Sequence, residues 1–318
     1  MDTALFVGVD VGGTKVAAGL VDANGEISAQ VRVAMVCDSS AKRGLDSVLS
    51  AISHVMPHNG AGRAIAGIGI CAPGPLDPST GVILNPPNVP CWRNFPLAAS
   101  IRKHYSVPVK VDNDANAAAL AETLWGAARG YHKVFYATIG TGIGTGVVFD
   151  EKIYHGRTGS AGEGGHVSID YRGPICGCGK PGCIEMYASG TAIARRAQQE
   201  IAAGAKSDPM LQLAGGDPAA ITGTIVAKAL DSGDGLARKI LSETTELLAL
   251  WLSNIIDLLD PEIIVIGGGA ATFFKPAFDA LRERIPKLTI NPRSGEIPIV
   301  SARYGADSGI AGGAALCG

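Results

Sequence analysis

DVGGTKVAAGLVD (residues 10–22) and TIGTGIGTGVVFD (residues 138–150) align without a gap. Gly12 falls on Gly140 and Asp22 on Asp150. Each segment reads as the end of a strand, a Gly/Thr turn and a second strand. Internal self-similarity fixes architecture before any other feature of a chain. Here it predicts two α/β lobes, each opening on a hairpin, with a cleft between them. Backbone N–H groups in tight glycine turns bind phosphate oxygens well. Two such turns, with the Gly267-Gly268-Gly269 run after a buried strand, point to a nucleoside triphosphate held in that cleft.

Working outward, residues 4–10 read as a strand, 15–22 as a second, and Asn24-Gly25 as the hairpin turn before a third. Leu45, Val48, Leu49, Ile52, Val55 and Met56 recur at helical spacing. Strands are expected over 64–70 and 107–111, then a helix over 115–129 stopped by Gly130. The pattern then restarts with strands at 133–140 and 146–150. Helices are expected over 188–204, 219–232 and 236–259, a strand at 262–266, a helix near 274–284, a strand at 297–301 and a last helix from about 307.

The 318 residues suffice for two domains with substantial cores. Twenty-seven basic against 29 acidic residues give a net charge of −2 and no block of one sign, which argues against a nucleic-acid or membrane-surface binder. MDTALFVGVD lacks a basic n-region and a long apolar core, so no signal peptide is expected. The most apolar stretch, Glu246 to Ile266, is broken by Asn254, Asp257 and Asp260-Pro261. It reads as a buried helix followed by a strand, not a membrane span. Seven cysteines, an odd number without secretion signals, point to a reduced, cytoplasmic protein. Cys37, Cys71, Cys91 and Cys317 are expected to be buried spectators.

In DVGGTK, Gly12, Gly13 and Thr14 would wrap phosphates, Lys15 would add charge, and Asp10 would help hold a magnesium through water. An ordinary hairpin turn is the alternative. Neither a Walker P-loop nor a dinucleotide fingerprint is present. VDNDAN (111–116) places Asn113 and Asp114 where a strand meets a helix, a junction that faces the ligand crevice in α/β folds. The helix N-terminus favours an ionised carboxylate, so Asp114 could accept a proton from an attacking hydroxyl. Helix capping is the alternative role for this trio. Cys176, Cys178 and Cys183, with His166 upstream, supply four ligands, the number a closed tetrahedral zinc site needs. A closed site would hold the loop and leave the chemistry to other residues. Glu163 and Glu185 flank it and could accept hydrogen bonds from sugar hydroxyls, or be plain surface charge. In NPPNVPCWRNFPL (85–97), Asn88 and Trp92 suit either carbohydrate recognition or a packed surface loop.

DVGGTK (10–15), APGPLD (72–77), VDNDANAAALAE (111–122), GTGIGTG (140–146), GEGGH (162–166) and CGCGKPGCIE (176–185) resemble, in order, the motifs of the ROK family of repressors and sugar kinases. The resemblance covers nearly the whole chain. It implies the two-lobed, actin-like ATPase (ribonuclease H-like) fold, with duplicated βββαβαβα lobes. A small lobe of residues 1–112, completed by 302–318, would face a larger lobe of 113–301. The resemblance makes Asp114 the catalytic base and places Gly74, Asn88, Asn113, Glu163, His166 and Glu185 on the sugar. Gly140, Thr141, Gly142 and the 267–269 glycines would join residues 10–15 on ATP. His166, Cys176, Cys178 and Cys183 would hold structural zinc, with the second ring nitrogen of His166 toward the sugar. MgATP and a hexose are the implied partners, glucose foremost because NVPCWRNFPL is similar to the family's glucokinase loop. N-acetylmannosamine or N-acetylglucosamine kinases, and a catalytically silent sugar sensor, are the alternatives. Repressors of the family carry an N-terminal helix-turn-helix; with a first strand expected from residue 4, none is expected here. A homodimer is also implied.

Overall fold

The computed structural model describes residues 4–38, 40–56, 64–269 and 277–318. The chain divides into two compact units: residues 1–136 with 146–162 and 302–318, and residues 137–145 with 163–301.

The first unit begins with strands β1 (Leu5–Val11), β2 (Lys15–Asp22) and β3 (Ile27–Ala34), then helix α1 (Ala41–Val55) and strand β4 (Ile65–Ala72). A short hairpin of β5 (Leu76–Asp77) and β6 (Val82–Ile83) leads through α2 (Leu97–Arg102) to strand β7 (Val109–Asn113) and helix α3 (Asp114–Leu124). The sheet order is β3-β2-β1-β4-β7. The first three strands pair antiparallel, while β1–β4 and β4–β7 pair parallel.

Strand alternation gives the sheet two faces with different jobs. Val7, Val9, Val11, Ile68 and Ile70 join the α1 residues Val48, Ala51, Ile52 and Val55 in one apolar core. On the opposite face stand Gly8 and Gly69, and the C-terminal helix Ser308–Ala315 lies against them. A Cβ on Gly8 would sit 1.8 Å from the Ile310 carbonyl oxygen, and one on Gly69 1.7 Å from that of Gly313. Only glycine admits a helix backbone this close. The same helix packs on α3, where a Cβ on Gly312 would lie 2.8 Å from the Ala117 carbonyl carbon. In consequence α3 groups with the first unit, as do 125–136 and 146–162, whereas the sequence put a border at residue 112.

A second sheet has the order β10-β9-β8-β11-β12, from β8 (Lys133–Ile139), β9 (Ile143–Phe149), β10 (Lys152–Ile153), β11 (Ile263–Gly267) and β12 (Ile299–Ser301). The second unit carries helices α4 (Glu185–Ala188), α5 (Gly190–Ala202), α6 (Asp208–Leu213), α7 (Gly223–Asp231) and α8 (Gly235–Leu259). Trp251 of α8 is fully buried, and its Nε1 donates to the Gly164 carbonyl at 3.0 Å. No helix among the described residues is long and apolar enough to cross a membrane.

Several expectations are corrected. The helix expected to reach 129 ends at Leu124. The buried Glu122 carboxylate accepts from Ala127 N at 2.8 Å, Arg303 N at 2.8 Å and Tyr304 N at 3.1 Å, and so turns the chain. Strand β9 starts at Ile143, three residues before the expected 146, which shortens the Gly/Thr turn. The helix expected near 274–284 is described as Phe278–Arg284, and its first residues lie outside the described set. Cys37 and Cys91 are not spectators: they are disulfide-bonded, with Cα atoms 5.5 Å apart. Of the two readings of Trp92, the packed loop is the one found. Its side chain is 1% exposed, stacks on Phe95 at 5.2 Å between centroids, and donates Nε1–H to Ala41 O at 3.1 Å. The 85–97 loop folds back on the chain after β3, and this buries the tryptophan and leaves the disulfide half-buried against the core.

Candidate active site

In the first unit the expected residues gather at the β1–β2 turn and the β7–α3 junction. Gly12 N donates to Lys15 O at 2.9 Å, closing the turn, and Gly13, Thr14 and Lys15 are exposed. A Cβ on Gly13 would lie 2.6 Å from the Asn88 carbonyl oxygen, so the phosphate-type turn and the Asn88 loop are packed together. Gly74 lies beside the junction, since a Cβ there would be 3.6 Å from Asn113 Nδ2. Asn113 is the N-cap of α3. The Ala115 N–H is shared between Asn113 Oδ1 at 2.9 Å and Asp114 Oδ1 at 2.8 Å. Asp114 is exposed, in the first turn of the helix, where the N-terminal dipole favours its ionised form.

Asp10 ends up half-buried near the C-terminal end of β1. A Cβ on Gly309 would lie 2.4 Å from its carboxyl carbon, so the first turn of the C-terminal helix covers it. Burial, and then the negative charge of Asp114, push its carboxyl up to about 6, against the pull of Lys15 and Arg32.

The second unit holds the metal-type cluster and the other turn. Glu163 is exposed, and the short 3₁₀ turn Gly164–His166 follows it. The two glycines of GEGGH press on β9: a Cβ on Gly165 would be 2.0 Å from the Ile143 carbonyl oxygen, and Gly164 N donates to Thr145 Oγ1 at 2.7 Å. His166, Cys176, Cys178 and Cys183 present ligand atoms all within 4.8 Å of one another. Cys176 Sγ is 3.5 Å from His166 Nδ1, and Cys178 Sγ is 3.6 Å from Cys183 Sγ. Tetrahedral ligands of one zinc ion stand roughly 3.5–3.8 Å apart, given metal–ligand bonds of ~2.0–2.3 Å. The cluster therefore fits that ion, with Nδ1 of His166 as its nitrogen ligand. Burial and the neighbouring thiols push Cys183 up to about 12, so without a cation this thiol keeps its proton.

Glu185 is fastened from both sides. Its Oε2 accepts from Ile143 N at 2.8 Å, and its Oε1 lies 4.0 Å from Cys176 Sγ. The metal loop is thereby tied to the Gly140–Gly142 turn. Around that turn the sequence reading missed two helix N-termini. A cavity of about 550 Å³ is lined by Gly140, Thr141, Gly190, Thr191, Thr222, Gly223 and Gly269, among others. Ser189 caps α5 through Ala192 N, and Thr222 caps α7 through Ile225 N. Glycine turns and helix N-termini sharing one cavity are what an oligophosphate needs. Ser189-Gly190-Thr191 and Thr222-Gly223-Thr224 were legible as capping signals, but nothing in the sequence joined them to residue 140.

The chain matches the ROK family over residues 6–318. It belongs to the ROK family. Its fold is the two-lobed, actin-like ATPase fold of ROK sugar kinases. The glucokinase of Thermotoga maritima is 34% identical over 311 residues, 98% of this chain and 96% of its own. A ROK family glucokinase from Streptomyces griseus, solved in complex with glucose and AMPPNP, is 34% identical with a TM-score of 0.82 and covers 98% of this chain and 99% of that one. A ROK family transcriptional regulator, a homologue of the E. coli MLC protein, is 26% identical with a TM-score of 0.85; the match covers 98% of this chain and 77% of the regulator.

Proposed function

We propose that this ROK protein is an ATP-dependent hexose kinase that phosphorylates the 6-hydroxyl of glucose, with Asp114 as general base. The exposed Asp114 carboxylate, held at the α3 N-terminus by Ala115 N–H beside the Asn113 amide, carries the reading. Asn88, Asn113, Glu163, His166, Glu185 and the Gly74 backbone orient the sugar. Asp114 takes the proton of the 6-hydroxyl as that oxygen attacks the γ-phosphorus of MgATP. The bond from the γ-phosphorus to the β–γ bridging oxygen breaks, and MgADP leaves with the electron pair. Backbone N–H groups of 12–14, 140–142 and 267–269, with the Lys15 ammonium, receive the phosphate charge, and Asp10 faces the magnesium of the nucleotide through water. Such positioning and electrostatic support supply most of the acceleration in phosphoryl transfer.

His166, Cys176, Cys178 and Cys183 would hold zinc, whose contribution is to fix the loop. With Nδ1 committed to the cluster, Nε2 of His166 remains for a sugar hydroxyl. The proposed use of MgATP supports a cytoplasmic location. A homodimer remains part of the proposal on the family resemblance alone. The near-neutral charge supports no nucleic-acid partner.

ADP release from purified protein with MgATP and a panel of hexoses tests this. Glucose-dependent release that disappears in Asp114→Asn is expected. Release with acetamido-hexoses alone would reassign the substrate, and sugar binding without release would favour a silent sensor.

A further inference from the structure

Asp112, the residue next to the Asn113–Asp114 pair, is 4% exposed, and the proposed reaction gives it no part. Its Oδ1 accepts from Asn113 N at 2.7 Å and from Asn116 Nδ2 at 3.2 Å. Its Oδ2 lies 2.6 Å from His155 Nε2. The carboxylate thus spends one oxygen on the two asparagines that bracket Asp114 and the other on a histidine from the segment after β10. Burying a carboxylate is tolerated where it is paired and fully hydrogen-bonded, and here both conditions are met.

We propose that His155 and Asp112 form a positioning pair for the catalytic turn, bracing the β7–α3 junction and cancelling a negative charge beside the base. This rests on the kinase reading above. The bracing follows from how His155 itself is held. Its carbonyl accepts from Ala161 N at 3.1 Å, so residues 155–161 close on themselves. A Cβ on Gly156 would be 3.0 Å from Ala161 Cβ, and one on Gly159 2.9 Å from Pro78 Cδ. Both glycines have positive φ, 65° and 83°. The loop is a compact block, and Asp112 is fixed to it.

Carboxylates crowd this junction. Cys71 pairs with Asp10 of β1 on one side and Asp112 of β7 on the other, and Asp114 follows two residues on; burial first, and then these three charges, hold the buried Cys71 thiol well above its usual range. Like charges raise one another's pKa values, and a base must stay ionised. His155 makes the cationic contact with Asp112. The hydrogen bond to Asp112, and then the Asp112 charge, raise its pKa against the opposing effect of burial. The imidazolium therefore persists to higher pH than a free histidine's. The groove of about 960 Å³ at this place also holds Asp77 from β5, Lys110 from β7, Glu151 and Lys152 at β10, and Arg157 from the loop itself. Those charges are of mixed sign, and Asp112 is the one hydrogen-bonded to His155.

The test compares His155→Ala and His155→Gln with wild type. It measures kcat and both KM values, the pH dependence of kcat, and hydrogen exchange of residues 109–120. The alanine variant is expected to lose tenfold or more in kcat with both KM values within twofold, since small displacements of a reacting group are costly. Its 109–120 segment should exchange faster while the rest of the chain is unchanged. In the glutamine variant, which keeps a hydrogen bond without the charge, exchange should return toward wild type. The acidic limb of its kcat profile should nevertheless move to higher pH. Unchanged kcat with unchanged exchange would overturn the proposal, and so would faster exchange throughout the chain, which marks a merely structural residue. If the wild type phosphorylates no hexose, the kinase reading fails. Exchange at 109–120 then still decides whether His155 braces the turn.

Discussion

Asp10 offers a test in which function and stability pull in opposite directions. Its carboxyl is pushed from 3.8 up to about 6 by burial and by Asp114. A raised carboxyl pKa means that the folded state penalises the charge. The penalty is absent below the unfolded pKa near 4, grows as pH rises, and is complete above about 6. Two units correspond to about 3 kcal/mol at about 1.4 kcal/mol each. Asp10→Asn removes the charge and keeps the shape. Set against the lost carboxylate, the amide is expected to stabilise the protein at pH 7.5 by about 1–3 kcal/mol, with the gain fading towards pH 4. Urea unfolding of both proteins at pH 4.5, 6 and 7.5, with EDTA and without nucleotide, measures the difference directly. The same variant should lose most MgATP-dependent turnover, a trade-off typical of charged residues held in active sites. A variant no more stable than wild type at pH 7.5, or a gain that does not vary with pH, would mean that the fold does not penalise the Asp10 charge.

Other outcomes follow from the same physics. The Cys37–Cys91 bond closes 54 residues, so Cys37→Ser should cost up to about 4 kcal/mol in chain-entropy terms. Reductant should destabilise the wild type by the same amount and leave the variant unaffected. Gly69→Ala puts a Cβ 1.7 Å from Gly313 O and should cost more than about 3 kcal/mol or prevent folding. Gly235→Ala, with open space around it, should be neutral or slightly stabilising in thermal melts. Metal analysis should find one zinc per chain, and stripping it should raise the glucose KM at least tenfold and lower the melting temperature; an intact KM in metal-free protein would remove the link between the cluster and the sugar residues.

What was legible in the sequence was local. The DVGGTK turn, the strand–helix switch at VDNDAN and the Cys176–Cys183 spacing each specify geometry within a dozen residues, and each was read in place. The buried glycine face of β1 and β4 was not read, because glycines in strands look like weak points until the helix that needs them is seen. Distant pairings escaped altogether. Asp112 and His155 are 43 residues apart, and Cys37 and Cys91 are 54 apart. Only the sheet order and the fold of the 85–97 loop bring them together. Trp92 stays open between sugar recognition and packing on local grounds, because only the inward fold of its proline-rich loop decides for packing. Glu185 was expected on the sugar alone, and its bond to Ile143 N depends on β9 beginning earlier than its pattern indicated.

In the proposed reaction Asp114 deprotonates the sugar that accepts the phosphoryl group. Phosphorus NMR of the product formed from glucose and MgATP, beside calorimetric glucose binding, tests it in wild type and in Asp114→Asn. Wild type is expected to form glucose 6-phosphate, and the variant to form it at least a thousandfold more slowly with glucose affinity within a few-fold. Comparable rates in the two proteins would contradict this role of Asp114.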